Sequence, residues 1–121
     1  MNDKELLELA AKAAGIVGEW VKWHDVINNG WKEGIDEGSQ NLWNPLTDDG
    51  DALRLAVKLR LSIKLEDSTA SAAGIAAYQL GAPTMDKLGP WYRKEWNSDS
   101  DPYAATRRAV VRAAAEIGRA M

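Results

Sequence analysis

Apolar residues change their spacing several times along the chain, and each change predicts an element. In DKELLELAAKAA, Leu6, Leu7, Leu9 and Ala10 recur at helical spacing. Asn2 or Asp3 is placed to cap that run and Gly15 to end it, which predicts a helix over about residues 3–14. From Ile16 to Trp43 the pattern breaks into short pieces around the turn Asn28-Asn29-Gly30. Trp20 and Trp23 there fall on opposite parities of an extended chain, so VGEWVKWHDV reads as a short strand at most. The stretch NLWNPLTDDGDALRLAVKL then starts a second helix over about 48–59. Thr47, Asp48 or Asp49 is its cap, the aspartates favour the positive end of its dipole, and Pro45 fixes the preceding turn. Its apolar residues, Ala52, Leu53, Leu55, Ala56, Val57 and Leu59, leave only Asp51, Arg54 and Lys58 as a polar stripe, with Asp51 set to pair with Arg54.

Beyond that helix the period becomes two. Leu61, Ile63 and Leu65 alternate with Ser62, Lys64 and Glu66, and Asp67-Ser68 reads as a turn. AGIAAYQL (73–80) is the expected hairpin partner, GAPTMDKLGP a loop, and WYRKEW a third strand. The last segment returns to helical spacing over about 102–118. Ser100 or Asp101 is the expected N-cap, Pro102 takes the first helical position, and Gly118 ends the helix. Tyr103, Thr106, Val110, Ala114 and Ile117 are expected to line its buried face. Arg108, Arg112, Glu116 and Arg119 fall on the opposite, solvated face with an Arg112–Glu116 pair, while Arg107 lies beside the buried stripe. The predicted fold is α+β, an α/β sandwich in which an antiparallel sheet of three to four strands is packed by about three helices. At 121 residues with no linker or repeat, a single domain over 1–121 is expected.

Composition narrows the function classes. Apolar residues make up 45% and charged residues 27% of the chain, the balance of a folded domain. The net charge of −3 and a pI near 5.1 argue against a dedicated binder of duplex nucleic acid. The absence of cysteine excludes disulfides and Cys-based zinc sites and suits a reducing cytoplasm. Asp3, Glu5 and Glu8 stand where a signal peptide needs a positive start and an apolar run, and no segment reaches the roughly 18 apolar residues of a membrane span. No membrane partner is expected.

Nothing in the chain rises to a catalytic signature. Asp48, Asp49 and Asp51, with Asp99 and Asp101, could supply oxygen ligands to a divalent cation in a metal-dependent hydrolase or nuclease, but their spacing matches no metal loop and reads as helix starts. His24 is the only histidine, and Asp25 beside it could orient the imidazole, yet neither a cysteine nor a Gly-x-Ser-x-Gly elbow supplies a nucleophile. No glycine pattern matches a phosphate or dinucleotide loop, and no cofactor is indicated. The specific expectation rests on six tryptophans in a chain without phenylalanine. Convergence of Trp43, Trp91 and Trp96 with Arg93 and Arg107 would make an aromatic, cationic pocket for a small anionic ligand. The competing reading of the same residues is core tryptophan and surface arginine, and a third places nucleic acid on the C-terminal helix arginines Arg108, Arg112 and Arg119. A Trp-rich surface and an unpaired sheet edge would favour a homodimer.

The order WNPLTDDGDALRLAVKL, an alternating strand, a Trp-containing stretch and finally DPYAATRRAVVRAAAEIG resembles small uncharacterised proteins of tailed bacteriophages and prophages, of the NinX-like and ABA-sandwich domain type. The resemblance covers most of residues 1–121 and implies an α/β sandwich acting as a phage accessory protein in the host cytoplasm, where such proteins often manipulate the host. It brings no catalytic residues with it. The segment GAPTMDKLGPWYRKEW matches no functional motif. The expectation is therefore a non-enzymatic binding module for a host protein or a small anionic ligand.

Overall fold

A computed structural model describes residues 2–38, 41–66, 73–79, 92–96 and 102–121, with Ser62, residues 64–66, 73–79 and 92–96 and Pro102 described by their backbone alone. The expected turn at Asp67-Ser68, the loop 81–90, Trp91, Asp99 and the cap candidates Ser100 and Asp101 lie outside the described residues. The elements run α1 (Asp3–Ala14), β1 (Glu19–Asp25), β2 (Gly30–Asp36), β3 (Leu42–Trp43), α2 (Asp49–Lys58), β4 (Leu61–Glu66), β5 (Ala73–Gln79), β6 (Tyr92–Trp96) and α3 (Pro102–Arg119). The class is α+β, with three helices among the described residues.

Local chemistry accounts for the helix ends. Asn2 Oδ1 accepts the Glu5 N–H at 2.8 Å to cap α1, and Gly15 closes it in the left-handed conformation at φ 72°. Asp48 caps α2, accepting the Asp51 N–H at 2.8 Å. The three segments predicted as strands beyond α2 form one antiparallel sheet in the order β4-β5-β6, with Leu61 opposite Gln79 and Ala73 opposite Trp96. The irregular segment 16–43 forms a second antiparallel sheet, β1-β2-β3. Here the seven residues of β1 pair with β2 along their whole length, from Glu19–Asp36 to Asp25–Gly30. The opposed parities of Trp20 and Trp23 hid this strand, because the hairpin carries a tryptophan on each face: Trp20 packs against the core while Trp23 is turned to the other side.

Helix α3 is central. It contacts α1, α2 and all three strands of the β4-β5-β6 sheet, so Ala105, Ala109, Val110, Val111, Ala113, Ala114 and Ala115 are buried on nearly every side of it. The expected single buried face is therefore too narrow, and Tyr103, expected inside, is exposed. Its expected solvated stripe is half-buried at Arg108, Arg112 and Glu116 and exposed only at Arg119; Glu116 pairs with Arg119 at 3.0 Å instead of Arg112, and Arg108 reaches Asp3 on α1 at 3.0 Å. Gly118 has a different role from the expected terminator, since α3 runs past it to Arg119. A Cβ at Gly118 would overlap the Leu9 carbonyl oxygen and lie 2.8 Å from its carbon, so the glycine is what lets α1 and α3 approach backbone to backbone. Leu6, Leu7, Ala10 and Ala14 of α1 complete that interface with Ile35, Trp43, Leu55 and Ala56. Full burial of a leucine such as Leu7 or Leu55 is worth about 1.5–3 kcal/mol. Helix α2 is less buried than its sequence predicts: Ala52, Leu55, Ala56 and Leu59 face inward, whereas Leu53 and Val57 are exposed on the outer side.

Candidate cleft between the aromatic hairpin and helix α2

Strands β1 and β2 make a hairpin joined by Val26-Ile27-Asn28-Asn29, and Asp25 organises its tip. The Asp25 carboxylate accepts the backbone N–H groups of Ile27 (3.1 Å) and Asn28 (3.4 Å) and the side-chain amide of Asn28 (2.8 Å), and pairs with Lys32 at 3.4 Å. Asn29 takes the left-handed conformation, φ 50°, that asparagine tolerates. The Asn28 amide, the two backbone donors and the Lys32 ammonium outweigh the desolvation of Asp25 and hold its carboxyl below the usual carboxylate value. This fixed turn presents Val26 and Ile27 to water at 82% and 92% exposure. Asp25 is committed to the tip and makes no contact that would orient His24.

Residues directly opposite across an antiparallel pair share a face, so Trp20, Lys22 and His24 lie on one side with Ile35, Glu33 and Trp31. At the root of the hairpin that face enters the core through Ile35. Nearer the tip it is open, and Trp31 is 68% exposed. The His24 ring meets Trp31 edge-on at 5.3 Å, and the Lys22 ammonium lies 5.6 Å from the Trp31 ring centroid.

The opposite wall is built by the Asn44-Pro45 turn and α2. Buried Asn44 donates from Nδ2 to the Glu33 carbonyl at 2.8 Å and accepts the Leu46 N–H on Oδ1 at 3.0 Å, while its carbonyl accepts the Thr47 and Asp48 N–H groups. One side chain thus ties β2 to the start of α2. Asp51 accepts the Asn44 N–H at 3.0 Å and pairs with Arg54 at 2.7 Å, which raises the Arg54 pKa, Asp51 acting first as acceptor and then as charge. From α3, Arg107 donates from Nε to the Leu46 carbonyl at 2.8 Å and pairs with Asp49 at 2.6 Å.

Between these walls lies an open cleft of about 1010 Å³. Ile16, Leu42, Trp43 and Leu55 form its apolar floor; Lys22, Trp31 and Glu33 stand on the hairpin side and Arg54 and Lys58 on the helix side. Arg54 and Lys32 are neutralised by Asp51 and Asp25, whereas Lys22, Lys58, Glu33 and Glu37 carry no ion pair among the described residues. The cleft therefore offers an aromatic face and unpaired charges of both signs.

The residues singled out from the sequence fall in separate places. Trp43 is 6% exposed and forms part of the cleft floor. Arg107 does not line the cleft, and its guanidinium is engaged by Asp49 and the Leu46 carbonyl. Arg93 and Trp96 lie on β6, where only the backbone is described, and Trp91 lies outside the described residues. Asp48 caps α2, Asp49 holds Arg107 and Asp51 bridges Asn44 and Arg54. Among the described residues no three carboxylate or imidazole side chains are grouped to hold a metal ion, and no helix is long and apolar enough to cross a membrane. What the sequence did not mark is the cleft itself, with Lys22 and Lys58 on its two sides, or the exposed Val26-Ile27 tip beyond it. The usable signal was the Asn28-Asn29-Gly30 turn with apolar residues directly before it and Trp31 directly after. Scans against protein-family models and searches of curated proteins and solved structures find no match for the chain.

Proposed function

We propose that this chain is a non-enzymatic binding module that docks a protein partner in the cleft between the β1–β2 hairpin and α2. The observation that supports this reading is Trp31, a large side chain held two-thirds exposed by His24 and Lys22 at the mouth of a wide, apolar-floored cleft. Exposed tryptophans rimmed by charge are the residues that carry binding energy at protein interfaces. A protein suits this cleft better than a small anion does, because its unpaired charges are balanced between Lys22 and Lys58 on one side and Glu33 and Glu37 on the other. The anion-binding alternative draws on Trp43 and Arg107, one buried and the other already satisfied. With the resemblance to small phage proteins, the partner is a bacterial host protein met in the host cytoplasm, and the chain is a phage accessory protein.

Affinity capture from bacterial host extract with the wild-type chain and the Trp31→Ala variant side by side tests the proposal. A host protein retained by the wild type and lost from the variant is expected. Equal retention by both, or tryptophan quenching by nucleotides with no protein captured, would overturn it.

A further inference from the structure

Strand β2 is paired unevenly. β1 covers one of its edges along all seven residues, whereas β3 covers the other only at Ile35 and Asp36 before the chain turns away at Asn44-Pro45. Alternate residues of an antiparallel strand direct both N–H and C=O to the same side. The Glu33 carbonyl accepts the Asn44 side-chain amide on the side away from β1, so Glu33, and with it Trp31 two residues earlier, present their backbone groups to that open edge. Neither the N–H nor the C=O of Trp31, nor the N–H of Glu33, has a partner there among the described residues. The strand is exposed at Trp31 and Lys32, and both line the cleft together with Glu33.

We propose that the protein partner enters the cleft as an extended segment that adds to β2 as an antiparallel strand, with a lysine or arginine opposite Glu33 and an apolar residue opposite Trp31. The backbone selects the kind of occupant. Donors and acceptors that recur at every second residue, about 7 Å apart, match the main chain of another strand. β3 already adds to this edge in the antiparallel sense, two residues further along. The side chains select the sequence. Residues opposite one another share a face, so both positions of the added strand lie on the side that carries Trp31, Glu33 and Lys22. Lys22 stands directly opposite Glu33 on β1, yet its ammonium lies 5.6 Å from the Trp31 ring centroid, and Glu33 has no ion pair among the described residues. A basic residue on the added strand supplies the missing cation, whereas an acidic one would meet like charge. The wider field has the same sign: residues 1–60, which build the cleft, carry 11 Asp and Glu against 7 Lys and Arg.

The inference rests on the reading of the cleft as a docking surface, and selection of a displayed random heptapeptide library on the full chain tests it separately. Retained peptides are expected to carry Lys or Arg two residues before an apolar or aromatic residue, the order that an antiparallel strand requires. With one such synthetic peptide, amide-proton NMR is expected to show slowed exchange at Trp31 and Glu33 and none at Lys22 and His24, on the outer edge of β1. N-methylation of the peptide's apolar residue removes the N–H aimed at the Trp31 carbonyl and is expected to weaken binding about tenfold. N-methylation of the residue before it, whose N–H points away from β2, is expected to leave binding within about twofold. Glu33→Lys is expected to weaken binding about fivefold by setting like charges opposite one another. A library that yields no peptide, peptides acidic at the basic position, slowed exchange on the β1 edge instead, or equal effects of the two methylations would overturn the proposal. Failure here with Trp31-dependent host capture intact removes the added strand and leaves the binding reading in place; peptide protection of the Glu33 amide with host capture that ignores Trp31 does the reverse.

Discussion

Replacing Gly118 with alanine sets helix propensity against packing, and the two predict opposite signs. In an exposed helix interior Gly→Ala stabilises by about 1 kcal/mol, because glycine loses more backbone freedom on folding. Gly118 is buried where α3 crosses α1, and an added Cβ would overlap the Leu9 carbonyl oxygen, lie 2.8 Å from its carbon and 3.3 Å from the Ala13 nitrogen. Backbone atoms cannot rotate away as a side chain can, so relief requires the two helices to separate. That movement loosens the contacts of Ala10, Ala14 and Ala114, all nearly inaccessible to water. Overpacking of this kind costs about 1–3 kcal/mol, and a clash with backbone belongs at the upper end. After the propensity gain, a net loss of about 1–2 kcal/mol is expected, read from the midpoint of a urea melt with the slope unchanged. Gly118→Ser should cost more than Gly118→Ala. A Gly118→Ala protein as stable as the wild type, or more stable, would refute the close approach of the two helices.

Asn44→Ala removes the tie between β2 and α2 and leaves the Glu33 carbonyl and the Leu46 N–H without their partner, so a loss of about 2–4 kcal/mol is expected in the same melt. Arg107→Ala is expected to cost about 2 kcal/mol, mostly through the Leu46 carbonyl, because Asp49 is well exposed and its ion pair is screened; Asp49→Asn alone should change stability by less than about 1 kcal/mol. Asp25 has a folded-state pKa below its ordinary value near 3.8, so its contribution is present above that value and is lost as the pH falls through the lower folded value. An acid titration followed by the NMR signals of the Ile27 and Asn28 amides should therefore show a hairpin transition below the ordinary carboxylate range, and Asp25→Asn should remove that pH dependence.

How much the sequence reveals depends on whether an element's pattern is set by itself or by its surroundings. Helices α1 and α2 begin and end at residues whose own side chains do the capping, Asn2, Gly15 and Asp48, and these were legible. The strands β4, β5 and β6 followed from alternation or from the punctuation around them. Strand β1 was obscured because Trp20 and Trp23 serve different faces, and the exposure of Leu53 and Val57 cannot be read from a helix whose apolar residues extend beyond the face its neighbours cover. Gly118 illustrates the same limit: a glycine near a helix end signals termination, and only the position of α1 reveals close packing. The cleft was the least visible feature, since Lys22, Glu33 and Lys58 are ordinary surface residues until strand register and the Asn44 tie bring them together. Arg107 and Asp49 were each singled out for a different role, and their pairing across 58 residues is a tertiary fact.

The cleft is the centre of the account, and site-specific photocrosslinking in host cells tests it most directly. A photoreactive phenylalanine analogue in place of Trp31 is expected to give a discrete adduct with a host protein, and the same group in place of Arg112 on α3, outside the cleft, is expected to give none. Adducts from position 112 with none from position 31 would contradict the claim that this protein binds its partners through the hairpin and the cleft beside it.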